Sequence, residues 1–235
     1  MFEKKYENLL GYQNKHSNKR AIICGSGPSI NNFNQSKITK NDIIFSCNQS
    51  ITAIDRSDYF CMTDWAVSES SFFEYGIDHS DNIMCFGNHF FDEPNINRLF
   101  EKLKNKIHFL PRNSVNKAQY FQFDLDNLIY GIDVVHVAAN FAYITGCNPI
   151  VLVGVDLNYS GGKKYCEPKS FKQTVLWWGT KSFDYSSNPS PPTTDIDLNM
   201  SYSGWELIKK SNPNIKFLNV NPEGRLTELF ETIIL

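Results

Sequence analysis

Gly25-Ser26-Gly27-Pro28-Ser29 follows directly on the apolar run Ala21-Ile22-Ile23-Cys24, and the turn at the end of a buried strand is a place where backbone N–H groups come free. Glycine lets the chain turn tightly and approach a ligand closely, and N–H groups of such a loop and of a helix start behind it suit phosphate oxygens. The loop lacks the third glycine of a dinucleotide fingerprint and the Lys-Ser/Thr of a Walker loop, so neither NAD chemistry nor P-loop ATP hydrolysis is indicated. A plain strand-ending turn is the alternative. Cys47-Asn48-Gln49 closes a second apolar run with two uncharged amides, which either donate to and accept from a base or sugar hydroxyl or simply cap a turn.

Candidate acids and bases follow the same pattern. Asp64, in Thr63-Asp64-Trp65, comes straight after an apolar run; it could accept a hydroxyl proton, hold a divalent cation, or cap the next helix. His136 stands at the start of an alanine-rich helix and titrates near neutrality, which suits proton transfer or donation to a phosphate; a structural histidine is the alternative. Asp156 ends the most apolar run of the chain, where a carboxylate either orients a loop through N–H groups or faces a sugar. His89, Asp195 and Asp197 are further loop candidates, and Trp177-Trp178 could stack on a sugar ring or anchor a loop to the body.

The elements that must position these residues read as α/β. Strands are expected at 21–24, 42–47, 58–62, 82–86, 149–156 and 215–220. A core-packed helix is expected at 134–145, with Gly146 as its stop, and others near 203–210 and from Gly224 to the end. Helix, then strand, then functional loop is the rhythm of a Rossmann-like fold with a mostly parallel sheet. Residues 1–19 read as an N-terminal helix or arm. Residues 159–199, rich in Ser, Gly, Pro, Lys and aromatics, read as a lid over the substrate.

Composition sets the outer limits. With 235 residues, 41% of them hydrophobic, the chain fits one large domain. A net charge of -2, from 23 basic and 25 acidic residues without a long run of either sign, advertises no surface for duplex nucleic acid. The six cysteines show neither zinc-site spacing nor disulfide density, which points to a reducing, cytoplasmic compartment with thiols acting as small hydrophobes. The polar, lysine-rich start is no signal peptide and no segment has the apolar length of a membrane span, which leaves peripheral contact with the inner face of the membrane open. The aromatic content of 14% leaves room for a homo-oligomer interface.

Three blocks in order, Ile22-Ile23-Cys24-Gly25-Ser26-Gly27-Pro28-Ser29, then Phe45-Ser46-Cys47-Asn48-Gln49, then Gly146 leading to Ile150-Val151-Leu152-Val153-Gly154-Val155-Asp156-Leu157, resemble the bacterial sialyltransferases that use CMP-sialic acid. They equally resemble the wider superfamily of archaeal hydroxymethylpterin pyrophosphokinases and motility-associated factors implicated in flagellin glycosylation. The resemblance implies that Gly25, Ser26, Gly27 and Asn48 hold the CMP moiety and that Tyr159 and Tyr165 contact the leaving phosphate; Pro28, Ser29, Gln49, Gly154 and Asp156, in the same blocks, are expected around the nucleotide. The catalytic histidine of the sialyltransferases precedes a Thr-Asp-Ile-like segment; here Thr194-Asp195-Ile196 is preceded by Ser190, Pro191 and Pro192, with no histidine. Asp64 or His136 then takes the proton, and Trp177, Trp178 and Asp195 face the acceptor. The activity implied is metal-independent transfer from a nucleotide sugar, a CMP-sugar first, to a surface glycan or lipid-linked glycan, with no cofactor. The alternatives are a pyrophosphokinase, with ATP and Mg2+ gathered by Asp64 and Asp156, or a non-catalytic nucleotide-sugar or carbohydrate-binding module.

Overall fold

The computed structural model describes residues 7–64, 67–68, 70–87, 98, 100, 103, 106–112, 121–158, 166, 174–177, 181–184 and 195–235. Eight strands form one sheet: β1 (Ala21–Cys24), β2 (Ile43–Cys47), β3 (Ser57–Met62), β4 (Ser80–Phe86), β5 (Ile107–Leu110), β6 (Ile150–Val153), β9 (Phe217–Asn219) and β10 (Glu231–Thr232). Their order is β10-β9-β6-β1-β2-β3-β4-β5, and every pair is parallel. A small antiparallel pair, β7 (Thr174–Trp177) and β8 (Lys181–Asp184), lies within the expected lid. Helices α1 (Ser71–His79), α2 (Val134–Ile144) and α3 (Asp195–Ser211) flank the sheet.

Parallel strands need crossovers on both faces, so the central strands are buried on both sides and read as continuous apolar runs. Ile23, Phe45 and Leu152 pack into the cluster that holds α2, while Ile22, Cys24, Ile44, Val151 and Val153 pack into the cluster on the opposite face. Phe141 of α2 is the hub of the first cluster, with ring centroids 5.2 Å from Tyr12, 5.5 Å from Tyr59 and 5.6 Å from Phe86. All six cysteines are buried thiols. Among the described residues no helix is long and apolar enough to cross a membrane.

α2 ends as its sequence predicts. Gly146 adopts φ +85°, its N–H donates to the Tyr143 carbonyl at 2.9 Å, and the Cys147 N–H reaches back to Ala142 at 3.1 Å. These are the two bonds of a Schellman cap, which satisfy carbonyls the helix leaves open. The N-terminal segment is pinned beside this cap: the Asn14 N–H donates to Ile144 and the His16 N–H to Thr145.

Four boundaries differ from the sequence expectation. The strand expected over 149–156 stops at Val153, because Gly154 takes φ +65° and turns the chain. The helix expected from Ser203 begins at Asp195, with Asp195 and Asp197 in its first turn, where the helix dipole favours carboxylates. It therefore takes the last five residues of the expected lid. The expected last helix is one 3-10 turn, Arg225–Glu228, followed by β10; the Ile233 N–H bonds to the Asn219 carbonyl, and pairing with β9 captures the chain. β5 was not expected, since His108 interrupts the short apolar run Ile107-His108-Phe109-Leu110.

Candidate functional site

β1 pairs with β2 on one side and β6 on the other, so the chain reverses direction across the sheet at β1. Such a switch point opens a crevice at the carboxyl ends of the strands, the usual ligand position in open α/β sheets. Here the loops after β1 and β6 cross in close contact. A Cβ on Gly25 would lie 2.6 Å from the Gly154 carbonyl oxygen, and one on Gly154 would lie 2.5 Å from that of Gly25. A Cβ on Gly27 would meet Asp156 Oδ2 at 2.6 Å.

The glycines are therefore used on one another, which is not the use the sequence suggests. The Gly25 N–H donates to Val153 at 2.8 Å, the Gly27 N–H to Gly154 at 2.7 Å and the Ser29 N–H to Asp156 Oδ2 at 2.9 Å. These three donors are already committed, and the helix behind them is only the 3-10 turn Pro28–Asn32. Asp156 is the clamp: its buried carboxylate also accepts from the Ser29 hydroxyl and, at 2.8 Å, from Asn221 Nδ2. It orients the loop, one of the two roles its position allowed. An open cleft of about 510 Å³ lies against this crossing, walled by Ser29, Phe33, Gly154, Asn221, Pro222 and Glu223.

The end of β2 carries the polar groups with spare capacity. The Ser50 hydroxyl accepts from the Cys47 N–H at 2.8 Å and donates to the Cys24 carbonyl at 2.7 Å, joining the ends of β1 and β2. Asn48 is forced into the left-handed region, φ +50°, where an asparagine is tolerated better than most residues. Its Oδ1 is buried and has no hydrogen-bond partner among the described residues; the same holds for Oε1 of the buried Gln49, whose Nε2 donates to Cys166 at 2.9 Å. Ser26 is built into the same corner: its hydroxyl donates to Cys47 at 3.0 Å and its carbonyl accepts from the Cys166 N–H at 2.8 Å.

Asp64 leaves β3 at the same edge, half-buried, with its carbonyl accepting the Val67 N–H at 3.2 Å. Three strand spacings, about 14 Å, separate the ends of β3 and β6, so Asp64 and Asp156 do not meet around one cation. Among the described residues no three His, Cys, Asp or Glu side chains gather in a way that would hold a metal.

His136 is in the core and not in the crevice. It is fully buried, with its ring centroid 4.7 Å from Trp205 and 6.1 Å from Phe121. Nδ1 accepts from the N–H groups of Ile132 and Asp133, closing a capping box at the start of α2. Burial pushes its pKa down, against the pull of Asp133. A proton shuttle needs access that this ring lacks. Of the other expected residues, Asp195 sits exposed at the start of α3, Trp177 ends β7, and Tyr159, Tyr165, Trp178 and His89 lie outside the described residues.

Three charged groups at this edge escaped the sequence reading. Asp133, the N-cap of α2, accepts the His136 N–H at 3.1 Å and the Ser201 hydroxyl, and its charge is felt at Cys47 beside Asn48. Arg225 donates its N–H to the Asp156 carbonyl at 3.0 Å; its guanidinium lies 4.3 Å over Tyr202 and donates to Asn199 at 2.7 Å. Arg112 follows β5. Nothing local marks any of them, because a helix cap and two loop arginines are common; only the parallel sheet brings them to one edge.

The sequence profile described as 6-hydroxymethylpterin diphosphokinase MptE-like matches residues 1–162. The chain belongs to this MptE-like family. No curated protein matches it. Among solved structures, the Campylobacter jejuni sialyltransferase CstII in complex with CMP-3FNeuAc is similar at 17% identity, with a TM-score of 0.53 over 91% of this chain and 86% of that one. The α-2,3-sialyltransferase Cst-I of the same organism gives 14% identity and a TM-score of 0.54 over 92% and 80%. The MAf glycosyltransferase of Magnetospirillum magneticum AMB-1 gives 14% and 0.54, with 99% of this chain covering 35% of that one. At these identities the MptE-like chain shares a fold with the three enzymes.

Proposed function

We propose that this MptE-like protein is a glycosyltransferase that takes a sugar from a nucleotide donor, a CMP-sugar first, and passes it to a glycan acceptor of a surface polysaccharide, lipooligosaccharide or glycoprotein. The observation that carries the reading is Asn48: a left-handed backbone holds it at the switch-point crevice with a buried Oδ1 that has no partner among the described residues. A lone buried acceptor is costly unless a ligand donor completes it, and the exocyclic amine of a base or a ribose hydroxyl would do so. Four of the neighbours in fold are CstII sialyltransferase complexes with CMP or the substrate analogue CMP-3FNeuAc, one of them also with a trisaccharide acceptor.

In this reading Ser26, Asn48 and Gln49 hold the nucleoside, with the loop crossing at Gly25, Gly27 and Gly154 fixing their positions. The acceptor hydroxyl oxygen attacks the anomeric carbon, the bond from that carbon to the phosphate oxygen breaks, and CMP leaves with the electron pair. Asp64 takes the hydroxyl proton, and Tyr159 and Tyr165 donate to the departing phosphate. Trp177, Trp178 and Asp195 form the acceptor side. No metal is assigned, because Asp156 is spent on Ser29 and Asn221 and stands far from Asp64.

A second reading is favoured by the family match itself: a diphosphokinase that transfers a diphosphate from ATP to a hydroxymethylpterin. Calorimetry and thermal shift against CMP, CDP, UDP, GDP and ATP, each with and without Mg2+, separate the two. CMP stabilisation without metal, followed by sugar release from a CMP-sugar, is the expected result. Mg2+-dependent ATP binding without CMP binding would overturn the transferase reading in favour of the kinase.

A further inference from the structure

We propose that Arg112 is an anion-binding residue on the β5 side of the crevice, and that the ligand it meets carries a carboxylate or a phosphate ester. If the protein transfers sugars, this ligand is an acidic acceptor; that last step rests on the transferase reading, whereas the anion site does not.

Two of the other arginines are ion-paired, while Arg225 lies over Tyr202 and donates to Asn199. Arg20 donates to both oxygens of Asp42, at 2.8 and 2.7 Å, and Arg56 reaches Asp58 at 3.2 Å. Arg112 has no carboxylate partner among the described residues. One of its terminal nitrogens, Nη1, donates to the Tyr130 carbonyl at 3.1 Å, and its guanidinium lies 4.8 Å from the Tyr130 ring centroid. Nε is buried and meets no acceptor among the described residues. Burial pulls the pKa of the group down, with only the Tyr130 phenol countering it. A guanidinium nevertheless keeps its proton in a protein, so the charge stays, and no carboxylate among the described residues compensates it.

Its place gives that charge a purpose. Arg112 leaves β5 at the same sheet edge as Asn48, Asp64 and Asp156, and pairs by a β-bridge with Leu128. The chain from Leu128 through Tyr130 to the cap residue Asp133 carries it back toward the end of β2. With Nη1 engaged by Tyr130, the other guanidinium edge, Nε with Nη2, has the parallel N–H geometry that binds carboxylate or phosphate in a bidentate way, and its Nε donor is unmet among the described residues.

The test is thermal shift and calorimetry of the full chain with glucuronate, glucose 6-phosphate and neutral glucose, on wild type, Arg112→Met and Arg112→Lys. One or both acidic sugars should raise the wild-type Tm where glucose does not. Glucuronate acting alone assigns the carboxylate; glucose 6-phosphate acting alone assigns the phosphate ester. Arg112→Met should weaken that binding at least tenfold while leaving the ligand-free Tm unchanged or higher, since it removes a half-buried charge that has no carboxylate partner among the described residues. Arg112→Lys, which keeps the charge without the fork, should weaken it several-fold, and decides the matter if the Met variant does not fold. No acidic sugar acting above glucose on wild type, or equal binding in the variants, would overturn the proposal. Arg112-dependent anion binding in a protein that transfers from no nucleotide sugar would retire the transferase reading and leave this site standing.

Discussion

Ser29 and Asp156 lie 127 positions apart, and both the N–H and the hydroxyl of Ser29 are given to the carboxylate of Asp156. That double contact, with Asn221 as the third donor, ties the loop after β1 to the loop after β6 and fixes the floor of the crevice.

Removing the clamp should be costly. Asp156→Ala leaves buried donors on Ser29 and Asn221 without an acceptor and is expected to lower unfolding free energy by about 2 to 4 kcal/mol, read by urea denaturation. Asp156→Asn should fall between. Gly27→Ala should behave like Asp156→Ala, because the new Cβ would press on the same carboxylate; full stability in that variant would mean the crossing is looser than described.

Asn48 separates backbone from ligand. Asn48→Gly suits φ +50° and should keep stability near wild type, whereas Asn48→Ala should lose about 1 to 2 kcal/mol. Both should bind CMP about tenfold more weakly, measured by calorimetry. Unchanged affinity in the glycine variant would remove Asn48 from the ligand site.

Acid sensitivity should track Asp42. Burial alone would raise its carboxyl, but the Arg20 fork and the Thr39 N–H outweigh it and hold the pKa below the ordinary value. A carboxyl depressed in the folded state gives stability that is present above the unfolded pKa, about 3.9, and lost as pH falls through the folded value. Asp42→Asn should therefore cost about 1 to 3 kcal/mol at pH 7, and the gap to wild type should begin to narrow as pH falls below about 4 and go on narrowing through the folded value. A gap that does not narrow at all below that pH would contradict this linkage.

His136 acts in another pH window. Burial lowers its pKa, so the unfolded chain takes up a proton near pH 6.5 that the folded protein resists. Stability should be flat above that pH and fall below it, by up to about 1.4 kcal/mol per pH unit from this group. His136→Gln should flatten the decline, measured by chemical denaturation between pH 5 and 8. An unchanged slope would show that the ring is not the group that titrates.

The sequence by itself determined the α/β class, six of the eight strands of the sheet to within a few residues, the core helix with its glycine stop, and the loops that meet at the crevice. These are local signals: buried parallel strands write themselves as apolar runs, and a Schellman cap needs a glycine at a known place. What only the tertiary structure decided is the use of each polar group. Whether His136 faced the crevice or the core depended on α3, whose Trp205 encloses the ring from nearly seventy positions away. That the glycines accommodate a second loop, that Asp156 and Asp64 stand apart, and that Arg112 is half-buried with no carboxylate partner among the described residues follow from strand order and crossing loops. Burial and charge pairing are set by neighbours distant in sequence, and spacing along the chain carries no record of them.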